Sequence, residues 1–406
     1  MQDRELYARI LGITAPWCVE RVELKLEIGE VHIILGHAPD LSWPCPECGG
    51  LCALHDHQPE RQWRHLDTCQ YRTIIHASPP RSNCPEHGPR VVKLPWAEPG
   101  SRFTALFEGL AISWLRAASQ KEVGRLLGMT WDELHHVMER AVRRGMARRE
   151  AEPLTHLGVD EKSFKKRHKY VTVVNDLEGG RVLYVAPERK KESLDSFWKT
   201  LTPEQLEGIL SMSMDMWDPY LSSAMEHLKD AKKIVFDKFH VASHLGKAVD
   251  LVRRRENKEL LRREDRQLVG TKYTWLRNGS SLSAEEFRAL RDADLKTARA
   301  WALKETGMLL FEYRREKSAR EFFERWHSWA VRSRLKPMVE VAKMLRRRLE
   351  NILTYLKHRM TNAKSEAINS KIQWVKYTAR GYRNMSNFIT AIYFHCGGLN
   401  MNPLPT

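Results

Sequence analysis

Three acidic residues in dissimilar settings carry the first chemical suggestion of this chain: Asp160, Asp215 and Glu366. Asp160 ends the strand-like run His156-Leu157-Gly158-Val159-Asp160, and Asp215 ends a second such run beginning at Ile209. Glu366 sits in a polar stretch, Thr361 to Lys371, that reads as helix. A carboxylate at the end of a buried strand is costly unless something cationic satisfies it. Two such strand ends and a helical glutamate are suited to converging on divalent metal ions, the means by which phosphoryl groups are moved.

A second constellation is built from sulfur. Cys45-Pro46-Glu47-Cys48-Gly49-Gly50 is a cysteine pair at knuckle spacing, and Cys84-Pro85-Glu86-His87-Gly88 repeats the design. Two matched knuckles predict one tetrahedral zinc held by Cys45, Cys48, Cys84 and His87, with Cys52, Cys69, His55 and His57 as alternative ligands. Four protein ligands leave no open position, so this Zn2+ would be structural.

The elements that must position these groups are bounded by composition. A chain of 406 residues accommodates two to four domains. The net charge of +16 calls for a polyanionic partner, and double-stranded DNA is the natural one, since neutralised phosphates release counterions. No apolar run approaches the ~20 residues needed to span a bilayer. The first residues, Met1 to Glu5, do not read as a signal peptide. A cytoplasmic location is expected, with no membrane partner. Seven cysteines, an odd number, suit metal binding in a reducing compartment better than a disulfide framework.

Arg21 to Ile28 alternates strictly, predicting a strand with Val22, Leu24, Leu26 and Ile28 on its half-buried face; a turn at Gly29-Glu30 leads to a second strand, Val31 to Leu35. Pro95 to Gly100 reads as a linker. Beyond it, Ser119-Gln120-Lys121-Glu122 and Thr130-Trp131-Asp132-Glu133 are capping boxes. They open two helices separated by Gly128, the second with a core stripe of Leu134, Val137, Met138, Ala141 and Val142. That is the helix-turn-helix pattern, and its second helix would offer His135, His136, Arg140, Arg143 and Arg144 to DNA. An ordinary helical hairpin with a solvated basic face is the plainer alternative.

From Leu154 the texture changes to a three-stranded meander (Leu157 to Phe164, Tyr170 to Asn175, Arg181 to Ala186), a helix from Ser193 to Leu201, the Asp215 strand, another helix and the strand Lys233 to Asp237. The order βββαβαβ is that of the α/β ribonuclease-H-like fold, whose first and fourth strands are neighbours. Asp218, before Pro219, is read as a helix N-cap. Glu161 points to the opposite face from Asp160, and alternation alone does not decide which of the two joins the cluster. Roughly Val241 to Arg348 reads as an all-helical insertion whose aromatics, including Trp301, Phe311, Trp326 and Trp329, are mostly core. Trp275, set between Lys272 and Arg277, is the exception, placed to stack on an unpaired base. In the last helical stretch Ile368, Ile372, Val375 and Ala379 form a stripe for the sheet, with Glu366 offset from it; Asn369 and Lys371 are candidates for DNA phosphate.

The motifs Cys45/Cys48 with Cys84 to His87, Gly158-Val159-Asp160-Glu161, Ser213-Met214-Asp215-Met216, Asp237-Lys238-Phe239-His240 and Ser365 to Lys371, in this order, resemble those of insertion-sequence transposases of the DDE class, specifically the ISL3 family. The resemblance covers nearly the whole chain. It implies Asp160, Asp215 and Glu366 as ligands of two Mg2+ ions, with Mn2+ a substitute, and Asp237 and His240 as supporting groups. It also implies a zinc-ribbon domain over 1–97, a helix-turn-helix domain over 98–152, a catalytic domain over 153–240 and 351–406, and a helical insertion over 241–350. The function so implied is binding of terminal inverted repeats followed by strand cleavage and strand transfer, in a prokaryotic, nucleoid-associated homodimer. A nuclease of the same fold and a non-catalytic DNA-binding regulator are the alternatives.

Overall fold

The computed structural model describes residues 3–165, 169–236, 238–358 and 363–403, and the chain divides into two compact units. Thr361 and Asn362 of the glutamate stretch, Lys166 to His168 of the first meander turn, and Asp237 lie outside the described residues.

The first unit comprises residues 1–149 together with 399–406. It contains α1 (Asp3–Leu11), β1 (Trp17–Lys25), β2 (Glu30–His37), β3 (Trp43–Pro44), β4 (Leu51–Cys52), β5 (Leu54–His57), β6 (Arg61–Thr68), β7 (Tyr71–Ala77), β8 (Pro80–Cys84), β9 (Gly88–Val91), α2 (Ala105–Ala117), α3 (Gln120–Leu127) and α4 (Trp131–Ala147). The order β1-β2-β7-β6 makes a four-stranded sheet, while β3-β4 and β5-β8-β9 form two smaller ones around the cysteines. The expected first strand is displaced toward the N-terminus. Trp17 and Val19 are its buried residues, whereas Leu24, Leu26 and Ile28 are exposed, Leu26 by 63%. Alternation marked a strand but not which stretch of it the core would cover. The supposed linker is also corrected: Trp96 is buried, its ring edge-on to Trp17 at 4.7 Å and to Trp63 at 5.7 Å. Proline and glycine around a tryptophan mark a packed corner here.

The helix pair forms as its caps dictate. The Ser119 hydroxyl accepts from Glu122 N at the start of α3, and Gly128 ends that helix in the left-handed region with φ of 64°. Thr130 and Glu133 make both bonds of a capping box at the start of α4. All five residues of the anticipated α4 stripe are buried.

The second unit, residues 150–398, contains β10 (His156–Lys165), β11 (Lys169–Asp176), β12 (Arg181–Pro187), α5 (Lys191–Trp198), α6 (Pro203–Gly208), β13 (Ser211–Met214), α7 (Asp218–Leu228), β14 (Ile234–Phe236), α8 (Lys238–Leu261), α9 (Lys272–Leu276), α10 (Ala284–Asp292), α11 (Lys296–Met308), α12 (Glu316–Arg332), α13 (Lys336–Arg347), α14 (Leu349–His358), α15 (Ala363–Thr378) and α16 (Met385–Cys396). Its five-stranded sheet runs β12-β11-β10-β13-β14; the first three strands are antiparallel neighbours, and β10-β13 and β13-β14 are parallel. One face of the sheet, with Leu157, Val159 and Val174, shares a core with α5, α7 and the helices from α8 to α14. The other, with Phe164, Val171 and Val173, packs on Ile368 and Ile372 of α15 and on Phe388 and Ile392 of α16. Ala379, expected to extend the α15 stripe, is exposed.

Two readings need correction in this unit. Asp218 is not an N-cap: Trp217 holds that position, and the Asp218 carboxylate pairs with Arg348 instead. Trp275 is buried at 4% exposure within the helical core, like Trp301 and Trp326, and has no ring face available to a base. The flanking cations suggested a surface site, but α9 turns its tryptophan inward and its charges outward.

Candidate active site and metal centre

β13 pairs with β10 only through His156, Leu157 and Gly158, so no strand covers that side of β10 from Val159 onward among the described residues. Two cavities of about 250 Å3 each open at this uncovered edge. Val159, Asp160 and His240 line both. One cavity adds Glu366 and Asn369 from α15; the other adds Asp215, Glu161 and Arg189. Asp160 is therefore the shared member, with Asp215 and Glu366 in separate cavities.

Asp160 is held from two elements. Its Oδ2 accepts from Lys162 Nζ and from Asn369 Nδ2, each at 2.7 Å, and its Oδ1 accepts from Glu161 N at 2.7 Å. Asp215 follows the last residue of β13, where its Oδ1 accepts from Met216 N at 2.6 Å. His240 Nδ1 lies 3.4 Å and His244 Nε2 3.9 Å from that same oxygen. Burial alone would push the Asp215 carboxyl up, but hydrogen bonding to His244, the charge of His240 and the Met216 amide outweigh it, and the net shift is downward. Position 244 was missed by the sequence reading. Its signal was the i, i+4 spacing from His240, which puts both rings on one face of α8.

The oxygen donors fit a hard divalent cation: three carboxylates, plus Asn369 Oδ1, a buried atom with no hydrogen-bond partner among the described residues. The donor atoms of Asp160, Asp215 and Glu366 do not form a single tight group. Among the described residues, the sets whose ligand atoms all lie within 4.8 Å of one another are Cys45, Cys48, Cys84 and His87, and Asp195, Glu226 and His227. The latter is already served by Lys191 Nζ, which lies 2.9 Å from Asp195 and 2.8 Å from Glu226.

The cysteine set is the expected one. Cys45 Sγ to His87 Nδ1 is 3.9 Å, Cys48 Sγ to Cys84 Sγ 3.8 Å and Cys84 Sγ to His87 Nδ1 3.5 Å. A tetrahedron with zinc bonds of ~2.3 Å to sulfur and ~2.1 Å to nitrogen has edges of about 3.5–3.8 Å. The hydrogen bond from His87 holds the Cys84 thiol down at about 6, favouring the thiolate a metal needs. The four side chains fit a structural zinc. Cys52 is buried beside them with Cys45 and Cys84, and its sulfur bonds to Gly50 O at 3.3 Å.

The proposed DNA-contacting residues of α4 divide sharply. Arg140 and Arg144 turn inward to Glu108, which is 1% exposed: Arg140 Nε donates to Oε1 at 3.0 Å and Arg144 Nη2 to Oε2 at 3.3 Å. Arg144 also donates to Glu98 and to the Met401 carbonyl, each at 2.6 Å. His135 is buried, its ring stacked on Trp131 at 4.9 Å. Arg140 and Arg144 are corrected to structural groups, because a buried carboxylate on α2 needs the cations more than solvent does. So is His135, which is covered by Trp131 with its Nε2 3.3 Å from Glu139 Oε1. His136 and Arg143 remain exposed. Lys371 is exposed on α15.

This architecture is that of a transposase. A transposase family model matches residues 157–392, the zinc-finger of transposases IS204/IS1001/IS1096/IS1165 matches 42–87, and the helix-turn-helix domain of transposase family ISL3 matches 92–142. The chain belongs to transposase family ISL3. It is similar to the transposase for insertion sequence element IS1557 of Mycobacterium tuberculosis, with 28% identity over 95% of this chain and 93% of that protein. It is also similar to the transposase for insertion sequence element IS1001 of Bordetella parapertussis, with 27% identity over 97% and 98% of the two chains. The helix-turn-helix and transposase domains imply DNA binding, and no helix among the described residues is long and apolar enough to cross a membrane.

Proposed function

We propose that this transposase binds the terminal inverted repeats of its element and catalyses strand cleavage and strand transfer at a ribonuclease-H-like centre formed by Asp160, Asp215 and Glu366. The observation that carries this reading is the sharing of Asp160 between two cavities, one holding Asp215 and the other Glu366. A carboxylate common to two cation sites, with one further acid on each, is the arrangement a two-metal centre requires, and it does not need the outer acids to touch. The sheet order β12-β11-β10-β13-β14, with β10 beside β13, supports the fold assignment.

When bound, two Mg2+ ions, or Mn2+ in their place, would activate a water or a DNA 3′-hydroxyl and stabilise the leaving oxygen. Asp160 is oriented for this by Asn369 and Lys162, and Asp215 by the paired His240 and His244. Arg143 and Lys371 supply cations for DNA phosphates, and His136 a ring nitrogen able to donate to one. We further propose the division into 1–97, 98–152, 153–240, 241–350 and 351–406, a homodimer that brings two element ends together, and a site of action at the nucleoid in the cytoplasm.

The test replaces each acid singly, as Asp160→Asn, Asp215→Asn and Glu366→Gln, in full-length protein supplied with duplexes carrying the element's own ends. Cleavage and joining in Mg2+ should fall by at least ~10³-fold while end binding in a gel-shift assay persists. Wild-type rates from the Asp160→Asn protein would refute the assignment.

A further inference from the structure

The cavity that holds Asp215 also contains a cation the proposed chemistry does not use. Arg189 follows β12 through Glu188, a non-glycine residue in the left-handed region with φ of 64°. This turn is pinned on all sides. Glu188 N donates to Tyr170 O at 2.9 Å, Thr172 Oγ1 donates to Glu188 O at 2.7 Å, and Trp217 Nε1 donates to Arg189 O at 3.0 Å. The Arg189 guanidinium is then gripped between two aromatic rings, 4.4 Å from the centroid of Tyr170 and 4.7 Å from that of Trp217. Two such ring contacts hold the guanidinium in position before any ligand arrives.

The bland explanation is a structural ion pair with Glu161. That pair engages one nitrogen alone: Nη1 donates to both Glu161 oxygens, each at 3.1 Å. Nε and Nη2 have no hydrogen-bond partner among the described residues, and the side chain lines the cavity together with Asp160 and Asp215. A fork closed on a carboxylate for stability uses two parallel nitrogens. Here two of the three nitrogens are left over, on the one permanently charged cation of a cavity whose lining also includes Asp160, Glu161, Asp215 and His240.

We propose that Arg189 forms a phosphate-binding subsite that grips a DNA backbone phosphate adjacent to the one being attacked, with Glu161, Tyr170 and Trp217 as its positioning residues. This rests on the reading of the second unit as the DNA-cleaving centre. Arg189 would fix the strand's register against Asp160 and Asp215, because a rigid, bidentate donor offers a phosphate one orientation.

The experiment uses the full-length protein and uncleaved duplexes spanning the junction of the element's terminal repeat with flanking DNA, each with a single neutral methylphosphonate at one position beside the scissile phosphate. Affinity is measured in Ca2+. For the wild type, one flanking position should weaken binding about tenfold or more when neutralised. In Arg189→Gln the all-phosphate duplex should bind about that much more weakly, and neutralising the same position should cost nothing further. Arg189→Lys, which keeps the charge but not the fork, should show an intermediate penalty at that position and serves if the glutamine variant does not fold. A wild type without a sensitive position, or arginine variants retaining the full wild-type penalty, would overturn the subsite. Absence of cleavage products in Mg2+ despite this binding pattern would instead overturn the catalytic reading.

Discussion

Replacing Glu108 by alanine should damage the helix-turn-helix far more than its DNA contacts. The Glu108 carboxylate is buried between α2 and α4 and serves Arg140, Arg144 and the Ser101 hydroxyl, the last at 2.7 Å. Removing one partner of a buried ion pair costs about 3–5 kcal/mol, because the other charge stays behind unpaired. Arg144 keeps Glu98 and the Met401 carbonyl, so the loss belongs at the lower end, about 3 kcal/mol. In a unit of this size each kcal/mol moves the melting temperature by about 2–4 °C, giving a drop of about 6–12 °C. Differential scanning calorimetry of the full chain reads this directly, and hydrogen exchange in α4 assigns it to the right element. Glu108→Gln, which keeps the shape and one acceptor, should lose less. A shift below ~2 °C, together with an Arg140→Ala protein that melts normally but binds DNA weakly, would show that these arginines face DNA after all.

The exposed cation of the same helix should behave in the opposite way. Arg143→Ala should leave melting unchanged and lower DNA affinity, with the slope of log affinity against log salt reduced by about 0.9 if one phosphate contact is lost. Trp275→Ala should destabilise the helical region by about 3–5 kcal/mol, measured by urea unfolding, without altering DNA affinity per folded molecule. A third test concerns pH. Burial, then the charge of Arg64, lowers the His65 imidazole from 6.5 to about 4. The folded state thus keeps His65 neutral where the unfolded chain takes up a proton, so stability is full above pH 6.5 and declines as pH falls toward 4. The loss amounts to about 3 kcal/mol. Between pH 7 and pH 4.5 wild type should lose about 2.4 kcal/mol more stability than His65→Gln on denaturation, and equal pH dependence in the two would count against it.

The residues with chemical identity were the readable part of this sequence. The cysteine knuckles declared themselves because zinc ligands must recur at fixed spacing, and the caps at Ser119 and Thr130 because orphan amides need acceptors. The adjacency of the first and fourth strands of the second unit was expected from the order βββαβαβ, by its likeness to a known fold, and β10 does lie beside β13. Direction of side chains was not readable. Arg140, Arg144 and Trp275 look like surface groups by type and neighbourhood, and only the placement of Glu108 on α2, or of the helical core around α9, turns them inward. His244 and Arg189 escaped notice for a related reason: each gains meaning from one partner distant in sequence, Asp215 or Glu161.

The long helical excursion leaves the sheet and returns to it at one strand. α8 begins just beyond β14, and α14 comes back to the same strand, where Asn351 Nδ2 donates to the carbonyls of Ala231 at 2.9 Å and Ile234 at 3.2 Å. Everything between is a loop whose stem is already closed. Doubling the length of such a loop adds only about 0.6 kcal/mol of closure entropy. The closed stem at β14 therefore makes the length of the segment cheap in closure entropy, while its helices add stability of their own through the core they share with the sheet.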